Sequence, residues 1–232
     1  MALLSFDIEI SDVFDLRAGE DINKYAPFHI AVAATAVDQG EERLWYSVGP
    51  ANKPLTNMTK DTAREMLEYL LEMQGLGHMV CAWNGLSFDL RWIGHVAEDM
   101  TLAAQIAMKS YDPMFQFFNQ KGFPVGLEPV AMGMGIRRRK LMSSDQAPKR
   151  WCAGDHQAVM DYVLNDCRLT NDVVKSIVRR KKVVWVTAKG DLKSEPMPRL
   201  KTVETVLKEP EPDQSWMSAP IPRRRFHEWF PG

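Results

Sequence analysis

The amino-acid sequence predicts an α/β protein whose mixed β-sheet is flanked by helices. Two observations carry this prediction: three strand-like segments follow one another near the start of the chain, and a helix–strand–helix succession comes after them. Neighbouring strands joined by a short turn favour an antiparallel meander, whereas strands separated by a helix favour parallel pairing. We therefore expect one sheet that contains both kinds of pairing, with the helices packed on it.

Hydrophobic periodicity and turn residues give the approximate bounds of the elements. Strands are predicted over residues 3–10, 28–37, 43–48, 79–83 and 183–187. Helices are predicted over residues 60–74, 86–97, 127–133 and 155–178, and residues 101–135 are expected to be mostly helical. Residues 11–27 and 136–154 are predicted to be loops. Residues 194–232 hold many prolines, so we expect a C-terminal extension that is irregular, either wrapped over residues 1–193 or partly disordered.

The first strand carries two carboxylates, Asp7 and Glu9, within an apolar run. Residues two apart on a strand point to the same face, so these side chains should lie side by side. Two neighbouring buried carboxylates need a compensating cation, and a divalent metal bound through oxygen is the usual one. A strand end with solvated acids is the alternative, and it stays open until other ligands are found.

Two later segments offer such ligands. Asn84 and Asp89 lie where the strand over residues 79–83 passes into a helix, the edge at which open α/β sheets bind ligands. Both residue types also stabilise helix starts, which is the simpler explanation. Tyr162 and Asp166 are four apart on a late helix and so project from one face. A core tyrosine beside an exposed acid would give the same pattern.

Charge is distributed unevenly along the chain. Residues 1–132 carry 9 Lys and Arg against 18 Asp and Glu, a net charge of −9, whereas residues 133–232 carry 20 against 12, a net charge of +8. The basic part contains clusters such as residues 137–140 and 179–182. These clusters are either solvated surface or the binding site of a polyanion held near a metal site. With three widely spaced cysteines and no apolar run of about 20 residues, we expect a cytoplasmic protein that does not bind membranes.

Taken in order, the three segments resemble the exonuclease motifs of the DEDD superfamily, the DnaQ-like 3′–5′ exonucleases on a ribonuclease H-like fold. The motifs are D-x-E at Asp7 and Glu9, N-x-x-x-F-D from Asn84 to Asp89, and Y-x-x-x-D from Tyr162 to Asp166. The resemblance spans about residues 3–178. The histidine branch of this superfamily carries His five residues before the last Asp. Here that position is Asp161, so the chain resembles the tyrosine branch, like the proofreading domains of DNA polymerases.

This resemblance implies a fold, a site and a reaction. The fold would be a ribonuclease H-like mixed sheet, with an exonuclease domain over residues 1–193 and the proline-rich extension over 194–232. Two divalent ions, Mg²⁺ or Mn²⁺, would support hydrolysis. The implied catalytic residues are Asp7, Glu9, Asp89, Tyr162 and Asp166, of which the four acids would bind metal. The resemblance implies that Asn84 and Phe88 line the substrate groove. The basic residues Arg137, Arg138 and Lys140, within the cluster 137–140, are candidates for contacts with phosphates, as are residues 179–182.

The implied activity is removal of nucleoside 5′-monophosphates from the 3′ end of single-stranded DNA or frayed DNA. An exoribonuclease of the same fold is one alternative, because contacts to a 2′-hydroxyl cannot be seen in a sequence. A catalytically silent nucleic-acid-binding or scaffold module is another. Besides the single-stranded 3′ end, a polymerase or another protein of replication, repair or RNA processing is a candidate partner.

Overall fold

A computed structural model describes residues 2–15 and 20–231 of the chain. Its strands are β1 (Leu3–Ile10), β2 (Ile30–Val37), β3 (Glu42–Trp45), β4 (Met79–Cys81), β5 (Lys182–Val186) and β6 (Leu192–Pro196). Its α-helices are α1 (Lys60–Gly75), α2 (Asp89–Val96), α3 (Met100–Lys109), α4 (Pro113–Lys121), α5 (Leu127–Gly133), α6 (Gln146–Cys152), α7 (His156–Arg180) and α8 (Val203–Leu207). Short 3₁₀ helices occupy Ile22–Tyr25, Pro50–Asn52 and Arg223–Phe226.

The central sheet has four strands in the order β3-β2-β1-β4. The pairs β1–β2 and β2–β3 are antiparallel, whereas β1 and β4 are parallel. This is the meander with a parallel strand that the sequence predicts, and the predicted fold class is confirmed. The strands β5 and β6 form a separate antiparallel hairpin.

Strand β1 separates two packing layers because its side chains alternate between the faces of the sheet. Leu4, Phe6, Ile8 and Ile10 are buried in the core that α1, α2 and α3 cover. Ser5, at the opposite face, donates a hydrogen bond of 2.7 Å from its hydroxyl to Oδ1 of Asn171 on α7. The alternation therefore directs Asp7 and Glu9 towards α7.

Alanines on β2 allow α7 to approach the sheet closely. Ala34 lies opposite Asp7 in the register, and Ala36 lies opposite Ser5. The thiol of Cys167 donates to the carbonyl of Ala34 at 3.4 Å, and the amide of Asn171 donates to the carbonyl of Ala36 at 3.0 Å. Larger side chains at these positions would push the helix away, and Asp166 would move with it.

Some elements differ from those that the sequence predicts. The predicted loop over residues 136–154 contains helix α6, which forms because it buries Ala147, Pro148 and Trp151. The strand β6 has a polar sequence and is stabilised by its ladder with β5 rather than by strand propensity. The predicted loop over residues 11–27 lies partly outside the described residues.

The C-terminal extension is packed against the rest of the chain. It contains α8 and a 3₁₀ helix, and Phe226 and Trp229 are buried in the same core as Phe115 and Phe118. The structure therefore agrees with the first of the two predicted alternatives, in which the extension, here residues 194–231, wraps over the rest of the chain. The division at residue 194 falls within β6 and stays a prediction.

Among the described residues, no helix combines the length and the apolar character that crossing a membrane requires.

Candidate active site

Four carboxylates from three elements lie around one cavity of about 280 Å³. Asp7 and Glu9 come from β1, Asp89 begins α2, and Asp166 lies in the middle of α7. Because β4 is the parallel neighbour of β1, the junction between β4 and α2 lies beside the acidic end of β1. A backbone hydrogen bond fixes this arrangement, since the amide of Ile8 donates to Oδ1 of Asp89 at 3.1 Å. The structure thus brings together the acids that the three sequence segments supply.

Burial makes this cluster electrostatically unusual. Glu9 is 8% exposed, and Asp89 and Asp166 are each 3% exposed. Burial, followed by the charges of Asp89 and Asp166, raises the pKa of Asp7 well above its usual range. Burial also raises the pKa of Glu9 and Asp166, and it raises the pKa of Asp89 to about 7. Burial is the largest cause of each shift, and a cation bound between the carboxylates would offset it.

Lys140 supplies part of that positive charge. Its ammonium lies 2.7 Å from Oδ2 of Asp166 and donates a hydrogen bond of 3.1 Å to the hydroxyl of Tyr162. Burial lowers the pKa of Lys140, but the opposing effects of Asp166, Tyr162 and Asp7 together outweigh it and leave the pKa above its ordinary value. Burial, with the charges of Glu9 and Asp166, also raises the pKa of Tyr162. Tyr162 therefore remains a protonated phenol that can donate a hydrogen bond at neutral pH.

The carboxylates suit a hard divalent cation. Oδ1 of Asp166 is buried and has no hydrogen-bond partner in the described part of the chain. All four side chains offer oxygen ligands, which Mg²⁺ and Mn²⁺ prefer. As arranged here, with the Lys140 ammonium on Asp166, the residues described contain no group of three or more His, Cys, Asp or Glu side chains positioned to hold an ion. Binding an ion would thus require Lys140 and the carboxylates to adjust.

Aromatic side chains form the walls around the acids. The cavity is lined by Phe14, Trp83 and Phe88 in addition to the four carboxylates. Trp83 also lines a second, more open cavity of about 610 Å³, which reaches Asp7 and Asp166 from the side of α5. The indole nitrogen of Trp83 donates to the carbonyl of Val125 at 2.9 Å, which fixes the ring between the two cavities. Flat apolar surfaces of this kind can stack nucleobases.

The residues predicted to bind substrate divide into two groups. Asn84, Phe88 and Lys140 line the cavity that holds the acids. Arg137 and Arg138 line a separate groove between the segment after α5 and the second half of α7. The guanidinium of Arg138 donates to Oδ2 of Asp172 at 3.0 Å. The structure therefore does not bring these two arginines to the carboxylates.

Asp112, a buried residue that supports the site, was not identified from the sequence. Asp112 accepts hydrogen bonds from the backbone amides of Asn84, Leu86 and Phe115, at 3.1, 3.1 and 3.0 Å. It thereby caps α4 and holds the turn that carries Asn84, whose φ is +73°. The pair Asp112-Pro113 is a typical helix start and could have identified the cap, although not its contact with the turn.

Comparisons with known proteins agree with this architecture. A family model of the RNase H superfamily matches residues 32–178, which include Asp89, Tyr162 and Asp166 but not β1. A search of curated proteins finds no match. Among solved structures, the family B DNA polymerase from the hyperthermophilic archaeon Pyrobaculum calidifontis is similar, with a TM-score of 0.50 and 16% sequence identity. The alignment covers 76% of this chain and 24% of the polymerase chain, so this chain spans about a quarter of that protein's length, and the likeness concerns the fold alone.

The family match extends over more than half of the sequence. It includes most of β2, all of β3, the junction between β4 and α2, and nearly all of α7, the helix that carries Tyr162 and Asp166. Together with the mixed sheet, this match means that the chain belongs to the RNase H superfamily.

Proposed function

We propose that this chain is a metal-dependent 3′–5′ exonuclease of the tyrosine branch of the DEDD superfamily, acting on single-stranded or frayed DNA ends. The observation that carries the proposal is the convergence of four carboxylates from three separate elements on one cavity, with Asp7 partly buried and the other three buried. The buried Tyr162 is joined to this cavity through the hydrogen bond that its hydroxyl accepts from Lys140. The chain belongs to the RNase H superfamily, whose nucleases generally use divalent metals. Converging carboxylates are suitable ligands for such ions, which supports the proposal.

Asp7, Glu9, Asp89 and Asp166 would hold two divalent ions, Mg²⁺ or Mn²⁺. Such ions supply Lewis-acid activation of water and stabilise negative charge that develops on a phosphate. The protonated hydroxyl of Tyr162 would orient the attacking water through a hydrogen bond. Lys140 would place its ammonium beside the phosphate that is cleaved, and Trp83, Phe88 and Phe14 would hold the terminal bases away from solvent.

A catalytically silent nucleic-acid-binding module is the second candidate, because one observation favours it. The Lys140 ammonium already neutralises Asp166, and a lysine that permanently replaced the cation would make the acids purely structural. In such a module Mg²⁺ would not stabilise the protein, whereas an exonuclease should be stabilised by the ion that it binds.

The test is digestion of 5′-labelled single-stranded DNA and RNA of equal sequence with Mg²⁺, Mn²⁺ or EDTA. We expect wild type to give a metal-dependent ladder of products shortened from the 3′ end, and Asp7→Asn to give no products. In Tyr162→Phe we expect a rate about 10²- to 10⁴-fold lower. Tyr69→Phe, in a buried tyrosine on α1, is the matched control and should retain full activity.

Whether the DNA or the RNA strand is cut shows which of the two nucleic acids is the substrate. Absence of cleavage of both strands by folded wild-type protein, together with no thermal stabilisation by Mg²⁺ or Mn²⁺, would reject the exonuclease in favour of the silent module.

A further inference from the structure

A second surface with the chemistry of a binding site lies outside the acidic cavity. It is an open groove of about 750 Å³ between the segment after α5 and the second half of α7. Gly135 forms one edge, and a Cβ atom added there would meet nothing within 4 Å. We refer to this surface as the α7 groove. Its openness to solvent makes it accessible to an extended ligand.

The charge of the α7 groove is strongly positive. Its lining contains four cationic side chains, Arg137, Arg138, Lys175 and Arg179, against the single carboxylate of Asp172. Asp172 pairs with Arg138 at 3.0 Å and lies 3.6 Å from Lys175, whose closer partner is Asp38 at 2.6 Å. These pairs leave the positive charges of Arg137 and Arg179, which favour an anionic ligand with more than one negative charge.

Two of these cations are available to such a ligand. Arg137 and Arg179 are exposed, and neither forms an ion pair with any residue in the described ranges 2–15 and 20–231. A guanidinium presents a planar fork of N–H donors that matches two oxygens of a phosphate. The ion pair of Arg138 with Asp172 joins the loop after α5 to α7 and so stabilises the walls of the groove. The guanidinium N–H groups of Arg137 and Arg179 are left to bind a ligand.

The same loop and helix connect the α7 groove to the acidic cavity. The loop residue Lys140 contacts Asp166, whereas Arg138, two residues earlier, contacts Asp172, which lies about 1.7 turns further along α7. The amide of Asn165 donates to the carbonyl of Arg139 at 2.8 Å and fastens the loop between these contacts. From Asp166, the groove residues on α7 lie about 9 to 20 Å along the helix axis, at 1.5 Å per residue.

We propose that the α7 groove binds the phosphodiester backbone of the substrate strand, about three to six nucleotides from the bond that is cleaved. The spacing follows from a rise of roughly 3.4 Å per nucleotide along a strand. This inference rests on the proposed exonuclease function, because it takes the acidic cavity as the position of the 3′ end. It gives the chain a second point of contact that favours strands longer than those the cavity alone can hold.

The test is a series of 5′-fluorescein-labelled oligothymidylates of 4 to 16 nucleotides, bound in EDTA so that no cleavage occurs, and followed by fluorescence anisotropy. For the wild-type protein we expect affinity to rise steeply once the strand exceeds about three to six nucleotides. The double variant Arg137→Gln/Arg179→Gln should lose at least tenfold in affinity for the 16-mer and little for the 4-mer. Its slope of log affinity against log salt for the 16-mer should fall by about 1.4, at ~0.7 for each phosphate contact on a single strand.

The matched control is Arg199→Gln/Arg224→Gln, which removes two other exposed arginines and the same charge. The proposal is overturned if the groove variant keeps the full dependence on strand length, or if the control loses as much affinity as the groove variant does. Melting temperatures of both variants confirm that they are folded. Failure of the proposed function is seen separately, as uncut 16-mer when wild-type protein is given Mg²⁺.

Discussion

The ammonium of Lys140 lies 2.7 Å from one carboxylate oxygen of Asp166, while the other oxygen of Asp166 is buried and has no hydrogen-bond partner among residues 2–15 and 20–231. One oxygen of this carboxylate is thus paired with a cation of the protein itself, and the other oxygen is left for a ligand. Lys140 and a divalent cation would compete for the same acid. This competition can be measured in the absence of substrate.

Replacing Lys140 by glutamine should strengthen metal binding. Without the ammonium, the buried charge of Asp166 loses its partner, so the metal-free variant should unfold about 1–3 kcal/mol more easily than wild type. The affinity for Mn²⁺ should rise on the order of tenfold, equal to ~1.4 kcal/mol, because the ion no longer displaces a lysine. Isothermal titration with Mn²⁺ and thermal denaturation with and without Mn²⁺ give both quantities.

Arg139→Gln is the control for this substitution, since it removes a positive charge one residue away on an exposed side chain. We expect its Mn²⁺ affinity to stay within about twofold of wild type, as for other surface charges. An Mn²⁺ affinity that is the same in Lys140→Gln as in wild type would show that Lys140 and the cation do not share Asp166.

The buried carboxyl of Asp112 should give a distinct dependence of stability on pH. Burial raises the pKa of Asp112 to about 6, although the backbone amides of Phe115, Leu86 and Asn84 oppose the shift. In the unfolded chain an aspartate has a pKa of ~3.9. The folded state therefore binds more protons than the unfolded state between about pH 4 and pH 6, and the contribution of Asp112 to stability rises as the pH falls through 6.

The measurement is the free energy of unfolding of wild type and Asp112→Asn between pH 7 and pH 5. Relative to the variant, wild type should gain about 1.4 kcal/mol over this range. The variant itself is the control for the other titrating groups except Asp89, whose pKa the charge of Asp112 raises. A difference that stays constant or shrinks towards pH 5 would mean that the amide hydrogen bonds dominate over burial and keep the carboxyl ionised.

Much of the fold was predictable because the relevant signals are local. The alternation in β1 placed Asp7 and Glu9 on one face. The helix predicted over residues 60–74 corresponds to α1, at whose start the side chain of Thr59 accepts a hydrogen bond from the amide of Thr62. The sheet followed from the order of such elements. By contrast, α6 depends on the burial of Trp151, and β6 depends on its partner strand, so neither has a strong signal of its own.

The candidate site also has some features with a local sequence signal and others that depend on contacts between distant residues. Its acids were found because a strand has a period of two and a helix brings residues four apart to one face. The contact between Lys140 and Asp166 depends on the path of a loop, which no periodicity encodes. For the same reason the basic residues 137–140 could be recognised as a cluster, but not divided between the acidic cavity and the α7 groove.

The C-terminal extension should stabilise the turn that leads into α2. The indole nitrogen of Trp229 donates a buried hydrogen bond of 2.8 Å to the carbonyl of Leu86, between Asn84 and Asp89. Trp229→Phe leaves this carbonyl without its donor and should reduce the free energy of unfolding by about 1–3 kcal/mol. If the proposed function is correct, the turnover number should also fall, because Asp89 is held less firmly.

Trp216→Phe is the matched control within the same extension. Trp216 is 61% exposed and donates to the nearby carbonyl of Asp213, and its ring meets that of Phe123 edge-on at 6.1 Å. Phenylalanine keeps an aromatic ring there, so the replacement should change stability by less than about 0.5 kcal/mol. Denaturant unfolding of the two variants side by side makes the comparison. Equal stability of both variants would show that the bond to Leu86 contributes nothing beyond the packing of an aromatic ring.

The hairpin formed by β5 and β6 should depend on the absence of a side chain at Gly133, the last residue of α5. A Cβ atom at this position would lie 2.5 Å from Cα of Trp185 and 2.5 Å from the carbonyl oxygen of Val184. Both are backbone atoms of β5, so the overlap cannot be relieved by turning a side chain. Gly133→Ala should therefore lower the free energy of unfolding by ~3 kcal/mol, as overpacking of a rigid contact does.

Gly75→Ala, at the end of α1, provides the comparison. A Cβ atom there meets nothing within 4 Å, and alanine favours a helix over glycine by roughly 0.5–1 kcal/mol, so this variant should be at least as stable as wild type. Urea denaturation of both variants measures the difference. Equal stability of Gly133→Ala and wild type would contradict the close packing of α5 against β5. It would also mean that the wall of the α7 groove next to Gly135 has another position in solution.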